Sequence, residues 1–326
     1  MVSRKNERMK KLATLLLLLL LSACSQSPKP VKTWQLSSQG LTAAAVNDNF
    51  ALLATIEQGG LLWQLKPKKL RHQFRHGNSK VQAIIAVTLT DDGQYAITAD
   101  REGLAWWSAK TGKPLATWIL EGIQAVALSK DGRWALIGLT DKAVYLSLST
   151  GKTRFAFPHD HKVTTVSLDK KGRFALTGGN DGQAKLWDLR NGKLIHSWEH
   201  ATKLATVTLS PRGTYAMTNA NLGPIRIWKT RTGKRVWQLG PKFTTATSAV
   251  FSPKEGLLAI GHPSQGIDLW HLKSGKRLRH FDPLRPDSWR PSASPVLALA
   301  FAHGSKYLLS ATSDGTVQKW RIKKKK

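Results

Sequence analysis

The stretch Thr177–Lys193, TGGNDGQAKLWDLRNGK, decides how the rest of the chain is read. It places a hydroxyl residue at Thr177, an Asp181-Gly182 turn, a short run ending in Trp187-Asp188, and a second turn at Asn191-Gly192-Lys193. Asp-Gly and Asn-Gly pairs between strand-like runs are hairpin signals, because glycine supplies positive φ without steric cost. The pattern returns along the chain. Six residues before the lysine that closes each unit stand Trp63, Trp107, Leu146, Trp187, Trp228, Trp270 and Trp320, spaced 44, 39, 41, 41, 42 and 50 residues apart. A period near 40 marks units that cannot bury their faces alone and must stack.

Each unit holds four strand-like runs. In the fourth they are Val163–Leu168, Phe174–Thr177, Ala184–Trp187 and Leu194–Trp198, separated by the polar turns Asp169–Gly172, Asn180–Gly182 and Asn191–Gly192. A four-stranded sheet per unit, repeated seven times, predicts an all-β chain closed into a seven-bladed β-propeller over residues 31–326. Val31–Leu36 (VKTWQL) looks like an outermost strand, and the last unit ends without one. The N-terminal strand is therefore expected to close the last blade and remove a free sheet edge.

These residues resemble the WD40 family. Trp187-Asp188 is a literal Trp-Asp pair, while Trp107-Ser108, Trp228-Lys229, Trp270-His271 and Trp320-Arg321 keep only the tryptophan. The resemblance implies a hydrogen-bonded set in each blade. The fourth unit supplies His159, Thr177, Asp181 and Trp187, and the second His76, Thr98, Asp100 and Trp107. The fifth keeps His200, Thr218 and Trp228 with Asn221 near the acid position, and the seventh keeps Ser310, Asp314 and Trp320. A buried carboxylate needs donors, which imidazole and indole N–H groups supply. The third unit has Leu146 in place of tryptophan and is expected to rely on apolar packing.

The N-terminus reads as an address. Residues 1–11 are basic, Leu12–Leu21 is an apolar run too short to span a bilayer, and Ser22-Ala23-Cys24 follows. Met9 is an alternative start to Met1. Leu21-Ser22-Ala23-Cys24 resembles the bacterial lipobox, and Cys24 is the chain's one cysteine. The resemblance implies a signal peptide over 1–23, cleavage before Cys24, and diacylglycerol and palmitate-type acylation there. Residues 24–30 then form a lipidated tether. With Ser25 rather than Asp after the cysteine, it also implies the periplasmic face of the outer membrane in a Gram-negative host.

The chain of 326 residues carries a net charge of +30, from 50 basic and 20 acidic residues. Residues 1–23 hold five of the former and one of the latter, so the remainder keeps +26. Such a balance fits an anionic partner or surface. In a propeller the first-to-second and third-to-fourth strand turns share one face. These turns hold Lys130, Arg133, Lys170, Lys171, Arg173, Lys193, Lys234 and Lys276, while many acids fall on the other face. This predicts a cationic face for anionic lipid, lipopolysaccharide or an acidic protein, or else a general basic bias of solvated turns. The insertion 284–295, LRPDSWRPSASP, holds Trp289 and Arg290, residue types enriched in binding hot spots. It reads either as a partner loop or as an ordinary insertion on its own blade.

His159-Asp160-His161 looks like a metal cluster, but the recurrence of the His/Thr/Asp/Trp set favours blade hydrogen bonding. Trp106-Trp107 reads as packing, one ring to each side of a strand. The chain has no nucleophile elbow, zinc-protease helix or phosphate loop motif. The expectation is a monomeric, non-enzymatic scaffold with protein partners, no cofactor and no metal. An outer-membrane assembly subunit and a propeller enzyme are the alternatives, and the export signal speaks against nucleic acid.

Overall fold

A computed structural model describes residues 28–77, 83–264, 266–283 and 294–323. Those residues hold 28 strands and no helix, in seven four-stranded antiparallel sheets. Six sheets are built in chain order, over residues 41–74, 86–119, 125–158, 163–199, 204–244 and 248–281. The innermost strand of each blade touches those of both neighbours, and that of the first touches that of the last, so the ring closes.

The seventh sheet joins Val296–Ala302, Tyr307–Thr312 and Thr316–Arg321 to the N-terminal strand Lys32–Gln35. Lys32 lies opposite Lys319 and Gln35 opposite Thr316. Trp34 and Leu36 are buried in a cluster that also holds Leu41, Leu53 and Leu61 of the first blade and Ala298, Leu309 and Val317 of the seventh. The expected closure is thus what the chain does, and its apolar residues span the seam.

Burial explains the pattern of the strands. Phe174–Gly179, second in its blade, is buried over five of six residues because neighbouring blades cover both faces of the sheet. The outermost strand Leu194–Glu199 points Trp198 inward and leaves Leu194, Ser197 and Glu199 exposed. Much of the tryptophan content serves the joints between blades. An aromatic on one outermost strand stacks on the third-strand tryptophan of the next blade: Phe74 on Trp107 at 4.7 Å, Phe157 on Trp187 at 4.8 Å, Trp198 on Trp228 at 5.0 Å. Such ring pairs add about 1 kcal/mol each beyond their area.

The disc has two unlike faces. The turn face carries the first-to-second and third-to-fourth strand connections, tied together within a blade by bonds such as Leu189 N–H to the Arg173 carbonyl. The loop face carries the second-to-third turns and the blade-to-blade links. The N-terminal strand runs from the turn face toward the loop face. Its early end, Val31, donates to the Lys319 carbonyl, and Leu36 at its late end donates to Gly315 in a loop-face turn.

Candidate interaction surfaces

The blade hydrogen bonds are built around a buried hydroxyl. In blade 4, Trp187 Nε1 donates to Thr177 Oγ1 at 2.9 Å, and His159 Nε2 lies 2.8 Å from the same oxygen. His159 Nδ1 lies 2.7 Å from Asp181 Oδ2, and Asp181 Oδ1 accepts the Gln183 N–H. One proton assignment satisfies all four groups. Nδ1–H donates to the carboxylate, the hydroxyl donates to Nε2, and the indole donates to the hydroxyl. Gly182 (φ 74°) closes this turn where a Cβ would stand 2.6 Å from the His200 carbonyl oxygen. Blade 2 repeats the set, with Trp107 and His76 on Thr98 and His76 Nδ1 2.9 Å from Asp100. In blade 7, Trp320 donates to Ser310 at 2.9 Å. Asp314, with no histidine to meet, accepts from Thr312 and the Thr316 N–H through one oxygen and leaves the other buried and unpaired.

Blade 5 departs from the expected set. His200 and Trp228 meet Thr218 as their counterparts do, at 2.9 and 2.8 Å. The position of Asp181, just before the turn glycine, is taken by Leu222, not by Asn221. Asn221 turns to accept from Thr245 Oγ1, and buried Asn219 holds Gly223, Thr244 and Ala246. With no carboxylate, His200 Nδ1 meets only the Trp198 carbonyl, and burial, helped by the Arg226 charge, pushes the imidazole down to about 4. Burial also holds His159 below its ordinary value, although Asp181 pulls the other way.

A depressed histidine favours the neutral form in the fold, so its stabilisation is complete above the ordinary value of 6.5 and is lost as pH falls toward 4. For His200 the loss is about 3 kcal/mol. Urea unfolding at pH 7.5, 6 and 4.5 checks it. Wild type should lose that stability across the window, and His200→Gln should flatten the slope. Asp188 and Asp268, held below the ordinary carboxylate value, act only beneath about pH 4, so the windows separate.

One polar cluster escaped the repeat pattern. Asp268 stands on the third strand of blade 6 directly opposite His280. Its carboxylate meets His280 Nδ1 at 2.7 Å, His262 Nε2 at 3.2 Å and Arg277 at 3.3 Å, while His280 Nε2 lies 2.9 Å from Asp282. Burial works to raise the Asp268 carboxyl, but the bonds from His262 and His280 and the Arg277 charge outweigh it. The cross-strand position of a histidine and an aspartate was the available signal. Among the described residues, this cluster included, no group of three or more histidine, cysteine or carboxylate side chains is arranged to hold a metal ion. His159 is buried in its blade bond, and Asp160 and His161 lie exposed. Trp107 is buried, whereas Trp106 is half-buried against Tyr95.

The turn face is less uniform than its sequence promises. Blades 1 and 2 bring Asp48, Asp91 and Asp92 to it. Lys170 is paired with Asp91, Arg173 with Asp169 and Arg190 with Asp188. These cations are partly neutralised. Lys130, Arg133, Lys171, Lys193, Lys234 and Lys276 are exposed and hold no ion pair among the described residues. The cationic surface is therefore a sector of blades 3 to 6. The loop face is mixed rather than acidic, since Asp100 and Asp181 are spent in blade bonds and Arg101, Lys162, Lys203 and Lys242 are exposed beside the acids.

Large apolar side chains stand out on the loop face: Ile119 is 92% exposed, Phe243 82% and Leu222 64%. Leu222 holds a strained φ of 51°, and Phe243 precedes Thr244, the residue paired with Gly223, so the two extend one exposed corner of blade 5. Cys24, Trp289, Arg290 and the segments 1–27 and 284–293 lie outside the described residues.

Residues 131–273 match the family model described as the nucleolar protein 10-like N-terminal domain, a β-propeller, and residues 288–321 match the WD domain, G-beta repeat. No curated protein matches the chain. The first match runs from the second strand of blade 3 to blade 6, and the second falls on blade 7. In fold the chain is a WD40-type seven-bladed propeller, an architecture that generally serves protein-interaction scaffolds.

Proposed function

We propose that this chain is a lipid-anchored WD40-type scaffold of the bacterial cell envelope, held to a membrane through Cys24 and binding a protein partner. The observation that carries it is the position of Cys24. The chain's one cysteine falls directly after Leu21-Ser22-Ala23, behind a basic segment and an unbroken leucine run. Several acyl chains at one residue suffice for stable anchoring, since each buried methylene contributes about 0.8 kcal/mol. The scaffold half of the reading is supported by the fold and by the Leu222–Phe243 corner, where two large apolar side chains stand exposed as they do in interfaces.

The test expresses the full chain in a bacterial host fed labelled palmitate. Wild type should carry label and sediment with membranes, and Cys24→Ser should lose both. Unlabelled wild type would end the anchor reading. Proteins cross-linked to the wild type but not to Phe243→Ser would mark the partner side. Identical cross-linking profiles would remove that corner from it.

A further inference from the structure

The tether and the cationic sector leave the propeller on the same side. The N-terminal strand begins at the turn face, where Val31 donates to the Lys319 carbonyl and Lys32 sits opposite Lys319. Lys319, whose pKa burial and then the Lys66 charge lower, stands beside that turn-face residue of blade 1. Cys24 lies seven residues before Val31, a reach of at most about 25 Å. From the turn face that chain reaches the bilayer directly, whereas holding the loop face down would use about 20 Å of it, nearly its full reach, in passing along the rim of the disc. The tether draws in the turn face, where Lys171, Lys193, Lys234 and Lys276 stand exposed and hold no ion pair among the described residues.

The same face carries a cleft suited to an anionic headgroup. Between blades 3 and 4 it opens to about 480 Å³, lined by Lys130, Lys170, Lys171 and Arg154 over Trp134 and Tyr145. Arg154 lies 5.6 Å above the Trp134 ring, which stacks on Tyr145 at 4.8 Å. Of the lining charges, Lys170 is paired with Asp91, and Asp131 accepts from the Ser129 hydroxyl and the Arg133 N–H through one oxygen, so its carboxylate offsets one of the cations. Lys130, Lys171 and Arg154 hold no ion pair among the described residues and outnumber that carboxylate, leaving the cleft net cationic.

We propose that the turn face lies against the bilayer that carries the Cys24 anchor, with the Lys130–Lys171 cleft and the sector through Lys193, Lys234 and Lys276 in contact with anionic phospholipid headgroups. The proposal rests on the anchor reading and adds an orientation to it. Lipid and cations then act together, the anchor supplying residence and the cations fixing which face is down. The loop face, with Phe243 and Leu222, points into the compartment where a protein partner can reach it.

The one native cysteine is consumed by the anchor, so a second introduced cysteine can be labelled alone. Asn191→Cys on the turn face and Asn180→Cys on the loop face are exposed positions at opposite ends of blade 4. The lipidated protein is purified from host membranes, labelled with a fluorophore and reconstituted into vesicles of phosphatidylglycerol and phosphatidylethanolamine carrying a headgroup quencher. The label at 191 should be quenched about fivefold more than the label at 180 in 50 mM salt. The difference should collapse in 500 mM salt, in vesicles of phosphatidylcholine alone, and in Lys171→Glu/Lys193→Glu/Lys234→Glu, since each cation lost weakens contact roughly fivefold. Equal quenching at both positions in protein that is acylated and inserted would overturn the orientation while leaving the anchor intact. Protein with no acyl group that fails to insert would instead defeat the anchor reading.

Discussion

Removing residues 31–36 should cost the propeller about 5 kcal/mol and split its unfolding into separate steps. The segment buries Trp34 and Leu36 at the seam between the last blade and the first. Each such side chain is worth about 2 kcal/mol on burial. The backbone adds bonds from Val31 to Lys319 and from Leu36 to Gly315 beside the paired register Lys32–Gln35, each worth about 1 kcal/mol net. The larger consequence is topological. Every other blade is continuous in chain order, so this strand is the covalent clasp that makes the ring one cooperative unit. Without it the edge Thr316–Arg321 is left unpaired, a template for aggregation. Trp34→Ala separates the two effects. It keeps the strand and its ladder but loses the indole, and should cost about 3 kcal/mol with a single transition. Urea unfolding followed by near-ultraviolet circular dichroism and by tryptophan fluorescence reads both. Coincident transitions at an unchanged midpoint in the deletion would show that the clasp does not hold the ring.

The clasp was legible in the sequence because it repeats the outermost-strand pattern where the last unit lacks one. The blade count was legible for a similar reason. Trp63 through Trp320 keep a register that local turn chemistry enforces, and glycine turns such as Asp181-Gly182 recur at fixed distance from it. What the repeat could not give was contact between blades. Lys170 and Asp91 sit 79 residues apart in sequence, in turns of blades 4 and 2, yet they form an ion pair. A period of about 40 fixes a residue's place within its blade but says nothing of which charges face one another across the disc. The uniformly cationic face therefore shrinks to a sector. Blade 5 failed differently. Asn221 is polar and one residue from the acid position, but strand register sets position by single residues, and that place belongs to Leu222. The residue that breaks the hydrogen-bond set is also one of the most exposed apolar side chains on the loop face, a local loss of pattern of the kind expected where a surface serves binding.

Thr177→Val should destabilise the protein by about 3 kcal/mol, although valine matches threonine in shape. The hydroxyl is the shared partner of two buried groups, and its loss leaves the Trp187 N–H without an acceptor and His159 Nε2 without a donor. Each buried group left unpaired costs about 1–3 kcal/mol. The protein holds its own controls. Ten residues before Trp63 stands Leu53, and ten before Trp270 stands Ile260, where blade 4 has Thr177. The indole nitrogens of both tryptophans are buried without a partner. The fold thus tolerates a solitary unpaired indole, and most of the cost in blade 4 must come from the histidine side. His159 is fully buried at its side chain and is held between Thr177 and Asp181. Asp181→Ala should therefore cost about as much as Thr177→Val. The double variant should cost less than their sum by about 1 kcal/mol, because the second change removes a partner that the first has already orphaned. Thr177→Ser keeps the hydroxyl and should stay within about 1 kcal/mol of wild type. A cost for Thr177→Val equal to that of the serine variant would mean that packing of Phe157 on Trp187, rather than the hydrogen-bonded set, holds the blade.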